Sequence, residues 1–334
     1  MTLPFSVRLL FMGLAGFFVI HLILGSAVSL ITPLLARAVR RTSAATAANL
    51  LLAARLFPPV VSLLLMVFVC VPTYLWLERA EKPEHVGIVF LGAALLAAAA
   101  FALSLSRGLL VALESRRYVR DCERVGRFVR LSKRHAPLLL IEDSSPLFLV
   151  AGVFHPRLVI SRAVVDVLSR EQLEVAIHHE RAHQTARDNL KRLLILLAPG
   201  CAPFARGYRC LEREWGKLIE WAADDQAAAG DSRRSVALAD ALVRFTRAGT
   251  CVQLNPLMIS LTTGNDDLRT RVDRLLRESP ASRGGSRPSR LVLAAALLSL
   301  IILACGLIAQ PKSLRTVYAL LERFHSMDVV SGRF

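Results

Sequence analysis

Four long apolar runs divide this chain. Residues 9–35 are apolar apart from His21 and a few small polar side chains. A helix rises about 1.5 Å per residue, so this run exceeds the ~30 Å hydrocarbon thickness of a bilayer. It is also too long for a signal-peptide core, and no clean cleavage-like site follows it. The pattern predicts a first transmembrane helix. Residues 58–77, residues 86–106 (rich in Ala and Leu) and residues 291–309 predict three more, each of spanning length. His21 is ionisable and intramembrane; it reads either as a functional group or as a neutral histidine facing protein. No internal repeat suggests a transporter built from inverted halves.

Between the third and fourth runs the pattern changes to that of a water-soluble domain. Residues 107–134 read as a basic helix leaving the membrane. Leu138-Leu139-Leu140-Ile141 and Leu158-Val159-Ile160 are short apolar runs bounded by Ser144-Ser145-Pro146, Gly152 and His155-Pro156. They predict a small sheet of two or three strands, one bordering the helix that follows. An edge strand there would hold an extended substrate by main-chain pairing. Ser161 is expected to cap a short helix over 162–168. Ser169 and Gln172 form a capping-box pattern opening a helix that could run through Leu190 and Leu197 to Pro199-Gly200. A further helix is expected to end at Gly230, and another to start at Ser232 or Ser235 and reach about Thr246. Residues 255–267 read as polar loop, 268–276 as a basic amphipathic helix, and 279–288 as a flexible linker. Residues 314–325 fit an interfacial helix.

Composition and charge refine this picture. Hydrophobic residues make up 54% of the 334 and charged residues 20%, which suits a polytopic membrane protein. The net charge of +16 could suggest nucleic acid, but no basic motif is interleaved with aromatics, so the expected partner is the lipid bilayer and no direct nucleic-acid contact. Arg37, Arg40, Arg41 and Arg55 are assigned to the first connection. Arg107, Arg116, Arg117, Arg120, Arg124, Arg127, Arg130, Lys133 and Arg134 follow the third run, and seven arginines from Arg269 to Arg290 precede the fourth. The positive-inside rule then predicts an outside N-terminus and a cytoplasmic domain. Lys312, Arg315, Arg323 and Arg333 in the tail oppose it weakly. The predicted organisation is a three-helix region over 1–106, a cytoplasmic domain over 107–288, a fourth span over 289–310 and an extracytoplasmic tail over 311–334. None of the six cysteines forms a CxxC pair, so neither a cysteine zinc site nor a redox motif is indicated; Cys201 and Cys210 could pair in an oxidising compartment. Ile302-Leu303-Ala304-Cys305-Gly306 resembles a lipobox but falls in the fourth run.

The candidate chemistry lies in His179-Glu180-Arg181-Ala182-His183. Residues four apart share a helix face, so His179 and His183 can bind one metal ion. Glu180 would then stand beside an open coordination position, as the base that takes a proton from water. The bland alternative is an amphipathic helix with two surface histidines. Glu220 and Asp224 form a second pair four apart on another predicted helix. One can be a third ligand, and the other can fix the tautomer of a ligating imidazole. Their bland alternative is an acidic surface paired with Arg213 or Lys217. His178 points about 100° from His179, and its partner at i+4 is Ala182, so it starts no competing motif.

These residues carry a resemblance. Residues 154–161, the run from Leu168 through His179-Glu180-Arg181-Ala182-His183 to Arg187-Asp188-Asn189-Leu190, the element Glu220-Trp221-Ala222-Ala223-Asp224, and residues 268–276 before a last span resemble the integral-membrane zinc peptidases of the beta-lactam-sensor (BlaR/MecR) type. The resemblance covers about residues 1–310 and is strongest over 146–230. The E-x-x-x-D element is shared with the prenyl-protein and heat-shock membrane peptidases. The resemblance implies a mainly α polytopic membrane protein with four transmembrane helices and a cytoplasmic α+β zincin-like metallopeptidase domain. It implies one Zn²⁺ per chain held by His179, His183 and Glu220, Glu180 as general base, and Asp224 orienting a ligand. It also implies regulated cleavage of a protein substrate such as a cytosolic transcriptional repressor, at the cell membrane; general membrane-protein quality control and a non-proteolytic regulator are the competing readings. The family's penicillin-binding domain after the last span has no counterpart in residues 311–334, which hold no Ser-x-x-Lys motif, so direct acylation by a beta-lactam is not expected of them.

Overall fold

The computed structural model describes residues 4–39, 42–77, 87–130, 137–200, 205–248, 259–260 and 265–277. Three helices in it are long and apolar enough to cross a membrane, and the chain is mainly helical with one small mixed sheet. Helix α1 spans Phe5–Val39. Helix α2 (Ala44–Leu65) continues through a π-helical turn, Met66–Cys70, into α3 (Val71–Leu77). Helix α4 spans Ile88–Val125. Exposed Leu30, Ile31 and Leu34 on α1, Leu63 and Phe68 after it, and Leu95, Leu96, Leu103 and Leu105 on α4 form apolar surface far beyond what water tolerates, as lipid contact requires. The predicted fourth span, the 279–288 linker, the tail and Cys201, Cys251 and Cys305 lie outside the described residues.

Two boundaries differ from the apolar pattern. The second long helix starts at Ala44, capped by Ser43, so Arg55 lies within it and not in a connection. The third span and the basic helix expected after it form a single rod of about 57 Å, which ends at Val125 and not at residue 134. Hydrophobicity marks where a helix meets lipid, whereas the helix itself continues into the soluble domain.

That domain follows α4 directly. Strands β1 (Arg127–Val129), β2 (Leu138–Ile141), β3 (Phe148–Ala151) and β4 (Arg157–Ser161) lead to α5 (Arg162–Val167), α6 (Arg170–Ala186) and α7 (Asp188–Leu197). Helices α8 (Ala205–Ala228) and α9 (Ser232–Arg247), strand β5 (Ile259–Ser260) and helix α10 (Asn265–Arg277) complete it. The sheet has five strands in the order β1-β2-β4-β3-β5, not two or three. β2 and β4 are parallel, with Leu139 opposite Val159; β3 and β4 form an antiparallel hairpin, with Leu149 opposite Val159. Gly152, at φ 92°, makes the turn between them. β1 was hidden in the basic stretch and β5 in the polar loop, because three- and two-residue strands carry no period of their own and exist by pairing.

The central strands are apolar throughout because both sheet faces are covered. Leu138, Leu140, Phe148, Val150, Leu158 and Ile160 face the core shared with α6 and α9. Leu139, Ile141, Leu149 and Val159 face Cys122 near the end of α4. β3 contacts α6, the helix of the two histidines, but it is not an edge strand, because β5 pairs with it at Leu149 and Val150.

Helix α8 lies along α2 and α1. Tyr208, Leu211, Trp215 and Ile219 of α8 pack with Val28, Val39, Ala47 and Leu51 in one core. A Cβ at Gly207 would sit 3.1 Å from Ser29 Cα and closer still to its side chain, so glycine permits this crossing. The helix that carries Glu220 and Asp224 is thereby seated on the spanning-length bundle.

Candidate metal centre

Helix α6 begins with the expected capping box. The Ser169 hydroxyl accepts from Gln172 N at 3.3 Å, and Gln172 Oε1 accepts from Ser169 N at 2.9 Å. Leu173, Ala176 and Ile177 bury the apolar face of the helix in the domain core. His179, Glu180 and His183 are buried with it, which rules out the alternative of surface histidines and a solvated glutamate.

The helix does not continue to Leu197. Arg187 adopts the left-handed conformation (φ 54°) and separates α6 from α7. The next two side chains use the break. Asp188 Oδ2 turns back to 2.9 Å from His183 Nδ1. Asn189 Nδ2 donates to the carbonyls of Val150 and Gly152 at 2.9 and 2.8 Å, fastening the break to β3. Asp and Asn have short side chains suited to such local backbone exits, and here they convert a helix end into part of the site.

The two imidazoles face each other, with His179 Nε2 3.2 Å from His183 Nε2. Glu220 arrives from α8, its Oε2 at 3.6 Å from His179 Nε2 and its Oε1 at 3.8 Å from His183 Nε2. One ligand atom from each of the three lies within 4.8 Å of the others, a buried group able to hold a metal ion. Ligands about 2.0–2.1 Å from a tetrahedral ion stand about 3.3 Å apart, so the observed separations need only small closure. Among the described residues, neither carboxylate oxygen of Glu220 has an aligned hydrogen bond. Arg271 Nη1 stands 3.0 Å from Oε2 as an ion pair, and the faces of Glu220 turned to the two Nε2 atoms keep their acceptor capacity for a metal ion.

Each ring's far nitrogen meets a carboxylate. His183 Nδ1 has Asp188, and His179 Nδ1 lies 3.0 Å from Asp224 Oδ1, close in distance though not aligned as a hydrogen bond. Both Nε2 atoms are thus left to the centre, the arrangement in which outer carboxylates orient ligating imidazoles. Glu220 and Asp224 are buried, and Lys217 pairs with Glu214 at 3.5 Å, so the surface alternative for the acidic pair does not hold.

Glu180 differs from the other acids. Both of its oxygens lack a hydrogen-bond partner among the described residues, and the group is fully buried. Burial pushes its carboxyl up to about 8, against the pull of His179. Burial also opposes ionisation of Glu220 and Asp224, but the guanidinium of Arg271 and the histidines override it: Glu220 falls to about 2, and Asp224 lies well below the usual range. Burial alone would lower His179, yet Asp224 and Glu220 raise it to about 9.

Sequence reasoning missed Asp188, Lys191 and Arg271. Lys191 Nζ holds Asp188 Oδ1 at 2.9 Å. Arg271 reaches Asp224 and Glu220 from α10. Asp188 could have been suspected as an acid just past the second histidine. Arg271 carried no local signal, since its partners are 47 and 51 positions away.

No family model, curated protein or solved structure matches this chain.

Proposed function

We propose that this protein is a membrane-embedded zinc metalloendopeptidase, with a zincin-like domain on the cytoplasmic side and a fourth span in residues 289–310. The observation that carries this reading is the convergence of His179, His183 and Glu220 beside Glu180, a buried carboxylate with no competing partner among the described residues. A merely structural metal site has no use for such a group. A zinc ion held by Nε2 of each histidine and an oxygen of Glu220 would supply Lewis-acid polarisation of a scissile peptide carbonyl. Glu180 accepts a proton from the attacking water at its carboxylate and delivers it to the leaving amine. Asp224 and Asp188 hold the two rings with Nε2 inward, and the apolar packing of α6 limits water around Glu180. The substrate is a protein, and the resemblance to sensor-type receptors favours a cytosolic repressor and a signalling role.

The test is a comparison of purified wild type and Glu180→Gln. Both should carry about one zinc per chain, and the variant should retain a bound protein substrate that the wild type cleaves. Equal cleavage by the two would end the peptidase reading.

A further inference from the structure

Arg271 is a puzzle for a cation site. It is 2% exposed, and its guanidinium stands among groups read as metal ligands. Nη2 lies 3.5 Å from His179 Nε2, so on Coulomb grounds alone it opposes a divalent ion there. Its contacts suggest what offsets that cost. Nε and Nη2 fork the two oxygens of Asp224 at 2.9 and 2.7 Å, and Nη1 lies 3.0 Å from Glu220 Oε2. One planar group therefore spans the carboxylate beside His179 Nδ1 and the carboxylate facing both Nε2 atoms. Glu220 and Asp224 are one helical turn apart and both buried. Two anions so placed repel each other and, unheld, would turn away from each other. A guanidinium is suited to prevent this, because its donors are rigidly set and match carboxylates in pairs.

We propose that Arg271 is a positioning residue of the metal centre. It sets Glu220 and Asp224 in their ligating and orienting positions before the ion binds, so that full metal affinity requires the Arg271 fork. This rests on the assignment of His179, His183 and Glu220 as metal ligands. Helix α10 has a second attachment to α8: Arg274 pairs with Asp225 at 2.7 Å and lies over the Trp221 ring at 5.3 Å. That attachment touches no ligand, so it separates the docking of the helix from the effect of the Arg271 fork.

The experiment measures zinc affinity by chelator competition on the full chain in lipid nanodiscs, with the visible spectrum of the cobalt-substituted protein as a readout of ligand geometry. Arg271→Met should weaken zinc about tenfold or more, in the range of lost outer ligand supports. It should also alter the cobalt spectrum at saturating metal. Arg271→Lys, which keeps the charge but not the fork, should recover part of the affinity. Arg274→Gln should stay within about twofold of wild type, since only the helix attachment is loosened. Should Arg271→Met not fold, the Lys variant decides alone: wild-type affinity and spectrum in it overturn the proposal. Zinc binding by Arg271→Met as tight as wild type or tighter, with an unchanged spectrum, also overturns it. If instead wild type takes up no zinc, or His179→Ala binds it undiminished, the ligand assignment itself has failed. Binding that is lost in His179→Ala yet intact in both Arg271 variants refutes the role of Arg271 alone.

Discussion

Arg55 Nε stands 2.7 Å from Glu212 Oε1 and joins the second spanning-length helix to the helix that carries Glu220 and Asp224. Arg55 is 5% exposed; its Nη2 also reaches the carbonyl of Ala198 at 3.4 Å, and its guanidinium lies 4.3 Å from the centre of the Tyr208 ring. One side chain of the bundle thus ties the end of α7, which follows the histidine helix, to α8. From Glu212 to Glu220 is eight residues, about 12 Å of rigid helix.

Removing the anion should therefore cost more than removing the cation. Glu212→Ala leaves a buried guanidinium without its charge partner, whereas Arg55→Met removes the buried charge altogether. A fully buried broken pair costs about 3–5 kcal/mol, and the partial exposure of Glu212 should bring Glu212→Ala below that range. Thermal unfolding in nanodiscs should show the larger fall in Tm for Glu212→Ala. The reverse order would mean that Arg55 finds water or another anion.

Metal content tests the ligand set one residue at a time. His179→Ala, His183→Ala and Glu220→Ala should each reduce zinc to a small fraction of one ion per chain after dialysis, with helical content retained. Full zinc in Glu220→Ala would hand the third position to another acid.

Asp188→Ala should act on the ion without touching it. His183 loses the carboxylate that keeps Nε2 inward, and zinc affinity should fall about tenfold or more. Lys191, which pairs with the same carboxylate, provides the comparison: Lys191→Met should change affinity much less, because Asp188 keeps its contact with the ring. Equal losses in the two variants would place the effect in Lys191 and not in ring orientation.

The capping box makes a prediction of the opposite kind. Ser169→Ala removes one acceptor at the start of α6 and should lower stability by ~1 kcal/mol, read as a small drop in Tm. The box lies ten residues before His179, so zinc affinity should not change. A large loss of metal would show that the helix start and the site are coupled more tightly than their separation suggests.

What the chain determined by itself was local. The spacing of His179 and His183, the capping box at Ser169 and the apolar runs each rest on neighbours within one or two helical turns, where backbone geometry alone decides which side chains share a face. The tertiary structure decided the rest. It brought Glu220 across from α8 to the histidines and turned Asp188 back through the left-handed Arg187. It also set Arg271 between two carboxylates and made strands of residues 127–129 and 259–260. Such relationships depend on how elements pack, and no spacing within one element encodes which side chain of another will lie against it.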